Sequence, residues 1–130
     1  MKKQIILTTN APAPIGPYSQ AVKVDNTLYV SGQIAINPAT GDMNMADIPT
    51  ETHQIMENLK AVLAAASATF DDIALTTIFL SDMGHFGQVN QVYGSYFTGD
   101  FPARATVAVK TLPRNVNVEI SVIAALNEFI

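Results

Sequence analysis

Hydrophobic and polar residues follow two different periods along this chain, and the change between them separates strands from helices. In the first third of the sequence, short apolar runs at 4–7, 20–24 and 27–34 are typical of strands. Asp25 and Asn26 lie between the second and third runs and form a two-residue turn of the kind that closes a hairpin. The pattern therefore predicts three strands, and the last two form a hairpin.

The segment at 11–17 is rich in proline and leads to Tyr18. Residues that precede proline are kept out of the helical region, so we expect an extended segment that holds Tyr18 in a fixed place. Ser31 and Gly32 end or bend the third strand. A glycine at such a position indicates either a simple bulge or a place where a ligand or another backbone lies close to the main chain, and the local pattern favours neither.

From about residue 49 the apolar residues recur at helical spacing, and they predict one long amphipathic helix that ends at Ala68. The apolar stripe of this helix contains Ile55, Leu59, Val62, Leu63 and Ala66. A run of threonine and β-branched residues at 75–80 then predicts a buried strand.

A second amphipathic helix is predicted from Asp82 to Phe97. Its apolar stripe consists of Phe86, Val89, Tyr93 and Phe97. Asn90 lies beside this stripe. An exposed polar residue of the helix and a residue of a binding pocket are equally good interpretations of that position.

Two short β-type runs near the C terminus carry an arginine and a glutamate. Because strand side chains alternate, Arg104 and Thr106 share one face of the first run, and Glu119 lies on one face of the second. We expect a hairpin that turns near Leu112 and Pro113, with Thr106 roughly opposite Glu119 and Arg104 one diagonal neighbour away. The two charges then form either a functional patch or a surface ion pair worth at most about 1 kcal/mol.

The predicted order of elements is β-β-β-α-β-α-β-β, which is typical of an α+β fold. We expect a single domain over residues 1–130, with a mixed sheet of about six strands and both helices on one of its faces. Charged residues make up only 14% of the chain, against roughly 25% in an ordinary soluble domain. So few charges cannot easily cover the whole surface, and we expect the other face of the sheet to be buried against further copies of the chain.

The charge balance and the missing residue types exclude several classes of function. A net charge of −4, with no cationic cluster beyond Lys2 and Lys3, argues against nucleic acid as a partner. Without cysteine there is no disulfide, thiolate nucleophile or cysteine-based metal site. His53 and His85 have no partner at ligand spacing, so we expect no metal. The apolar runs are too short to span a membrane, and we expect a cytoplasmic protein.

The polar groups that remain suit a small carboxylate ligand and a positioned water. They are Arg104, Glu119, Tyr18, main-chain groups near Gly32 and Thr106, and Asn90. No nucleotide-binding motif or nucleophile elbow accompanies them, so we expect no cofactor.

All of these residues except Thr106 occur in a series of short motifs. The motifs are GPYSQ at 16–20, YVSGQI at 29–34, VN at 89–90, FPAR at 101–104 and VEI at 118–120. In this combination they are highly specific, and over essentially its whole length the chain resembles the Rid family, the YjgF-type imine and enamine deaminases. The resemblance implies a chorismate-mutase-like α+β fold and a homotrimer with clefts between its subunits. It also implies cofactor-free hydrolysis of 2-imino acids such as 2-iminobutanoate and 2-iminopropanoate to 2-oxo acids and ammonia.

The resemblance also implies roles for individual residues. Arg104 matches the family's carboxylate-binding arginine, and Glu119 matches its water-positioning glutamate. The matching pocket positions are Tyr18, Ser31, Gly32, Asn90 and Thr106. Some members carry cysteine where this chain has Thr106, and the loop at 98–100 is shorter than in some relatives, which bears on pocket size.

Two other classes of function are compatible with parts of the sequence. The chain could form a non-catalytic regulatory or chaperone-like trimer that binds small carboxylates, in which case Arg104 would be needed and Glu119 would be dispensable. An endoribonuclease activity has no support from the charge balance or from any paired histidines.

Overall fold

The computed structural model describes residues 2–127 as one mixed sheet with two α-helices. The strands are β1 (Lys3–Ile6), β2 (Ala21–Val24), β3 (Thr27–Gln33), β4 (Ile73–Leu80), β5 (Ala103–Ala108) and β6 (Val118–Ala125). The helices are α1 (Ile48–Ala65) and α2 (Phe86–Gly94). This order confirms the predicted α+β fold with six strands. The predicted domain of 1–130 also includes Met1 and residues 128–130, which lie outside the described residues.

The strands lie in the order β1-β2-β3-β6-β4-β5, and β6 is one of the two central strands. β4 and β5 pair in parallel, while the other neighbours are antiparallel, so the sheet is mixed as predicted. Both helices pack their apolar stripes into one core with the same face of the sheet. Fully buried members of this core include Leu28, Ile55, Leu59, Ile78, Val89 and Ile120.

Helix α1 begins and ends through local hydrogen bonds. The side chain of Asp47 accepts a hydrogen bond from the Thr50 N–H at 2.7 Å, and this bond caps the helix N terminus. At the other end Ser67 adopts a left-handed conformation (φ 59°), and the Ala68 N–H donates to the Leu63 carbonyl at 2.9 Å. The helix therefore stops at Ala65, before the predicted end, although its apolar pattern continues.

Helix α2 is also shorter than predicted. The chain between Asp82 and Phe86 forms a 3₁₀ turn, in which the Asp82 side chain accepts a hydrogen bond from the Gly84 N–H at 2.7 Å. The α-helix then runs from Phe86 to Gly94 only. Its buried residues include Val89 and Tyr93, as the pattern predicted.

The predicted hairpin between the last two strands is wrong. β4 lies between β5 and β6 and forms hydrogen bonds with both. The linker at 109–117 has nine residues, enough to cross the end of one strand, because neighbouring strands lie about 4.8 Å apart. Leu112 and Val116 are buried beside the residues that follow β3, and they anchor the crossing. Thr106 and Glu119, which the hairpin would have placed opposite each other, therefore lie on strands that do not pair.

The face of the sheet away from the helices is largely apolar. Exposed large side chains on this face are Ile5, Tyr29, Leu75 and Val107, which are between 38% and 52% exposed. The prediction that one face is left uncovered by the chain's own helices is confirmed.

Candidate functional site

Glu119 lies in β6 on the face of the sheet away from the helices. Its neighbours Val118 and Ile120 are fully buried in the core, and side chains alternate along a strand, so Glu119 points the other way. The neighbouring strand β3 bulges between Val30 and Gln33, where its register against β6 shifts. The carboxylate therefore lies against an irregular part of the sheet.

Gly32 lies in that bulge and makes room for the Glu119 side chain. A Cβ atom on Gly32 would lie 2.7 Å from Oε2 of Glu119 and 2.8 Å from its carboxyl carbon. These separations are shorter than any real Cβ contact. The interpretation as a bulge is confirmed, and the group that lies close to the main chain is a side chain of the same chain rather than a ligand or another backbone.

Burial raises the pKa of the Glu119 carboxyl above its ordinary value. Among residues 2–127, no hydrogen-bond donor offsets this effect. A half-buried carboxylate with a raised pKa is suited to taking a proton from water and giving it back.

Residues of the GPYSQ and YVSGQI motifs line the space next to Glu119. The Ser31 hydroxyl donates to the carbonyl oxygen of Ser19 at 2.6 Å, and the Ser31 N–H donates to the Gln20 carbonyl at 2.9 Å. Tyr18 is 48% exposed, and its hydroxyl accepts a hydrogen bond from the Ile15 N–H at 3.3 Å. The bulge is thus hydrogen-bonded to the two residues that follow Tyr18.

Gln20 is the residue that fixes the proline-rich segment. It is 1% exposed, its Nε2 donates to the carbonyl oxygens of Thr8 (3.0 Å) and Pro12 (2.9 Å), and its Oε1 accepts from the Thr8 N–H at 2.7 Å. Residues 15–17 bend, and the Tyr18 N–H donates to the Gly16 carbonyl at 2.9 Å, so the prediction of an extended segment does not hold over its last three residues. The hydrogen bonds of Gln20 fix the earlier part of the segment.

These elements surround a cavity of about 390 Å³, which we call the glutamate cleft. Its polar lining comes from Tyr18, Gln20, Ser31, Gly32, Gln33 and Glu119, and its apolar lining from Pro12, Ala13, Ile15, Ile34, Ile36 and Pro113. Four of the seven predicted site residues are therefore brought together here.

Arg104 lies elsewhere, on the edge strand β5 beside helix α2. Its guanidinium carbon is 5.5 Å from the centre of the Phe86 ring and 5.3 Å from the centre of the Tyr93 ring. Both distances are within the range of cation–π attraction. The Tyr93 hydroxyl donates to Oγ1 of Thr76 at 2.8 Å, so the ring that supports the arginine is itself fixed.

Arg104 borders a second cavity, of about 300 Å³, which we call the arginine cleft. The cleft is lined by Asn90, Tyr93, Gly94, Phe101, Pro102 and Arg104. Asn90 is half-buried in this lining, so the interpretation as a pocket residue agrees with its position.

Thr106 follows Arg104 on the same face of β5, where it pairs with Ile78. Its Oγ1 is buried and has no hydrogen-bond partner among the described residues. The prediction that Thr106 and Arg104 share a strand face is confirmed. Among the described residues, this oxygen is the one buried side-chain polar atom that lacks a hydrogen-bond partner. It is therefore available to bond a further group.

The two clefts lie on opposite faces of the sheet. Arg104 pairs with Thr76, which is buried under α2, whereas Glu119 pairs with Phe79 on the face away from the helices. One chain therefore does not bring the arginine and the glutamate into one patch, and the alternative of an ion pair between them within the chain is also wrong. The error follows from the hairpin, because inserting β4 between the two strands separates their side chains.

Two polar residues of α1 were missed by the sequence interpretation. Glu51 is 0% exposed and accepts a hydrogen bond from the Val118 N–H at the start of β6. Asn58 is 1% exposed and donates to the Ile34 carbonyl in the segment after β3. A signal was present, because the spacing of 51 and 58 places both residues in the apolar stripe that contains Ile55 and Leu59. A polar residue within a buried stripe indicates a hydrogen-bonded structural role.

Within residues 2–127 no three His, Asp or Glu side chains gather closely enough to hold a metal ion. No described helix is long and apolar enough to cross a membrane.

The chain is similar to proteins of known family. A family described as Endoribonuclease L-PSP matches residues 8–126. The Mus musculus protein named 2-iminobutanoate/2-iminopropanoate deaminase is 46% identical over 128 residues, covering 98% of this chain and 95% of that protein. The structure of YyfA from Yersinia pestis, a Rid family protein of unknown function, has a TM-score of 0.94 and 50% identity, covering 96% of this chain and 100% of that chain. Escherichia coli TdcF with bound serine has a TM-score of 0.92 and 37% identity, covering 95% of this chain and 99% of that chain.

Proposed function

The chain belongs to the Endoribonuclease L-PSP family, which includes the Rid (YjgF-type) proteins, and from this membership we propose that it hydrolyses 2-imino acids to 2-oxo acids and ammonia. The substrates we propose are 2-iminobutanoate and 2-iminopropanoate, with no cofactor. The observation that carries the proposal is Glu119, a half-buried carboxylate that lies on Gly32 and has a raised pKa. Such a group can position and deprotonate a water molecule.

The two clefts lie on opposite faces, so we propose that a second copy of the chain completes the site. The arginine cleft of one subunit would face the glutamate cleft of the next. A contact between two different surfaces is heterologous, and it closes into a ring when the rotation between copies allows. We propose a ring of three subunits from the resemblance to the Rid family, and the largely apolar face of the sheet supports a contact between copies there.

Arg104 binds the substrate carboxylate in this mechanism. A planar guanidinium donates two parallel hydrogen bonds to a carboxylate, which fixes its orientation as well as its position. The rings of Phe86 and Tyr93 hold the guanidinium from the side of α2. The substrate is therefore presented with its imine carbon in a defined direction.

Glu119 directs the water that attacks the imine carbon. The carboxylate takes one proton from the water as the new C–O bond forms, and the imine nitrogen takes up a proton from solvent water, giving a carbinolamine. The protonated carboxyl then returns its proton to the amine nitrogen, the C–N bond breaks and ammonia leaves, and the carbinolamine hydroxyl releases its proton to solvent as the C=O bond of the 2-oxo acid forms. The Thr106 main-chain carbonyl accepts a hydrogen bond from the imine N–H in this arrangement.

Hydrolysis of an imine is a reaction that two side chains, Arg104 and Glu119, can accelerate. Free imines already hydrolyse in water, and a positioned acid/base group contributes roughly 10²–10⁴-fold. Neither a metal nor a covalent nucleophile is needed for a gain of that size.

The test compares the protein with its Glu119→Gln variant, using an imine generated in situ by an amino-acid dehydratase. We expect release of the 2-oxo acid to fall by about 10²-fold or more in the variant, because glutamine cannot take a proton from water. Affinity for an unreactive 2-oxo acid, measured by calorimetry, should change little because Arg104 still binds the carboxylate. Full turnover in the variant, or no acceleration by the wild-type protein, would overturn the proposal.

A non-catalytic protein that binds small carboxylates is the second candidate. The similar structure of Escherichia coli TdcF was determined with bound serine, which carries a carboxylate. In that case Glu119→Gln and wild type would bind the 2-oxo acid equally and neither would accelerate imine hydrolysis. The same assay therefore separates the two candidates.

A further inference from the structure

Glu51 is a buried carboxylate that the proposed reaction does not use. It lies in the first turn of α1, where an acidic residue is usually exposed, yet it is 0% exposed. Its Oε2 accepts hydrogen bonds from the main-chain N–H groups of Asn117 (2.9 Å) and Val118 (3.0 Å), and its Oε1 accepts one from Asn117 Nδ2 (2.9 Å). A buried carboxylate is costly unless it is hydrogen-bonded, and here three donors from one short segment satisfy it.

Asn58 makes a second connection from the same face of α1. Its Nδ2 donates to the carbonyl oxygens of Ile34 (3.1 Å) and Ile36 (2.9 Å), and its Oδ1 accepts from Gln54 Nε2 at 2.9 Å. The helix is therefore bonded to two segments at once, to the start of β6 through Glu51 and to the segment after β3 through Asn58.

The two connections lie at the same end of the contact between Gly32 and Glu119, because β3 and β6 are antiparallel. Asn117 precedes Glu119 by two residues, and Ile34 follows Gly32 by two residues. The contact itself leaves little freedom, because a Cβ on Gly32 would already lie 2.7 Å from Oε2 of Glu119. A small slide of β6 along β3 would move the carboxylate off the glycine.

We propose that Glu51 is a positioning residue for Glu119, because its hydrogen bonds to Asn117 and Val118 fix where β6 begins. Its effect on the rate rests on the function proposed above. Its effect on the position of the Glu119 carboxylate does not, so the two can be tested separately.

The variant that removes the connection is Glu51→Met, which keeps the volume and removes both acceptors. We expect kcat for a 2-imino acid to fall about tenfold or more, because displacement of a catalytic group by about 1 Å can cost up to 10²-fold. The affinity for an unreactive 2-oxo acid should stay within about twofold of wild type, since Arg104 is on another strand. Glu51→Gln should recover most of the rate, because its remaining oxygen accepts both main-chain N–H groups.

The matched control is Thr52→Val. Thr52 is also 0% exposed and adjacent in α1, but its hydroxyl donates only to the Ile48 carbonyl of the same helix, at 2.8 Å. We expect this variant to keep the wild-type kcat. If Thr52→Val loses as much rate as Glu51→Met, general damage to α1 explains both results and the positioning role of Glu51 is overturned.

The position of the carboxylate has a readout that needs no turnover. Burial raises the pKa of Glu119, so a carboxylate displaced into water should titrate at a lower pH, and carboxyl ¹³C resonances measure this directly. We expect the Glu119 pKa to fall in Glu51→Met and to stay unchanged in Thr52→Val. An unchanged Glu119 titration in a folded Glu51→Met variant would overturn the proposal, even if wild type proves to hydrolyse no imine.

If Glu51→Met fails to fold, Asn117→Ala takes its place. This change removes one of the three donors to Glu51 and leaves the main-chain bonds intact. We expect the same pattern at a smaller size, with kcat about twofold to fivefold lower, Glu119 titrating at a lower pH and 2-oxo acid affinity preserved. Wild-type values for both kcat and the titration would then overturn the positioning role.

Discussion

The glutamate cleft and the arginine cleft are built in opposite ways. Glu119 lies on a central strand. The buried side chains of Gln20, Glu51 and Asn58 form hydrogen bonds that fix the segments around it. Arg104 lies on the edge strand β5, where most side chains are exposed, and two aromatic rings of α2 support it. Directional hydrogen bonds therefore fix the surroundings of Glu119, the candidate acid/base group. Cation–π contacts support Arg104, the candidate carboxylate-binding group.

This difference fits the tasks that we propose for the two groups. Proton transfer depends on hydrogen-bond distances within a few tenths of an ångström, whereas attraction between a guanidinium and a carboxylate falls off gradually with distance. Changes near the glutamate cleft should therefore act mainly on the rate, and changes near the arginine cleft should act on affinity as well.

The first prediction concerns Gly32→Ala, which adds a methyl group 2.7 Å from the Glu119 carboxylate. The side chain must move, so kcat for a 2-imino acid should fall by about 10²-fold. Gly87→Ala is the matched control, because a Cβ there meets nothing within 4 Å. Equal activity in the two variants, measured by release of the 2-oxo acid, would show that the position of Glu119 over the glycine is irrelevant.

The second prediction tests whether each site combines the arginine cleft of one subunit with the glutamate cleft of another. Arg104→Ala and Glu119→Gln are each expected to be nearly inactive, but subunits mixed after dissociation should regain activity. With random assembly, about one quarter of the sites would combine an intact arginine from one copy with an intact glutamate from another.

Light scattering coupled to size exclusion supplies the control for that mixture. We expect a mass near three chains for each variant and for the mixed sample. A mass near one 13.9 kDa chain, or an intact trimer whose mixed form stays inactive, would contradict a site shared between copies.

The third prediction concerns Arg104→Lys, which keeps the positive charge but loses the planar grip on the carboxylate and the contact with two rings. We expect affinity for a 2-oxo acid to fall about tenfold, with a loss of rate and no change in assembly. Arg114→Lys makes the same chemical change in the exposed linker and should have no such effect. Calorimetry measures the 2-oxo acid affinity of both variants. Equal affinities would exclude a role for Arg104 in binding the carboxylate through two parallel hydrogen bonds.

The smallest effect concerns stability as a function of pH. Because burial raises the folded-state pKa of Glu119 above its unfolded value near 4.5, its contribution to stability is fully present below that value and is lost as pH rises through the folded pKa. We therefore expect Glu119→Gln to melt about 2 °C above wild type at pH 7, after allowance for solvent screening, and at the same temperature near pH 3.5. A variant that melts below wild type at pH 7 would instead indicate that the carboxylate stabilises the fold.

Much of the fold was determined by local patterns in the sequence. The period of the apolar residues predicted all six strands and both helices, because alternate or helical spacing decides which side chains can be buried together. The boundaries were less well predicted, as at Ser67, since a left-handed residue ends the helix while the apolar pattern continues.

The candidate site was predicted as a set of residues but not as an arrangement. Glu119 and Arg104 were singled out from their motifs and lie in clefts together with other predicted residues. Their placement on one hairpin was wrong, because strand pairing between distant segments depends on how β4 competes for the edge of β6. Local alternation does not contain that information.

What the sequence by itself determined was therefore the identity of the elements and the face of each strand on which a side chain lies. Only the tertiary structure decided that β4 separates β5 from β6, that Glu119 needs the missing Cβ of Gly32, and that Glu51 is bonded to the start of β6. The physical reason is the range of the interactions. Side-chain alternation acts between neighbouring residues, whereas sheet order and buried hydrogen bonds join segments that are more than sixty residues apart in the chain.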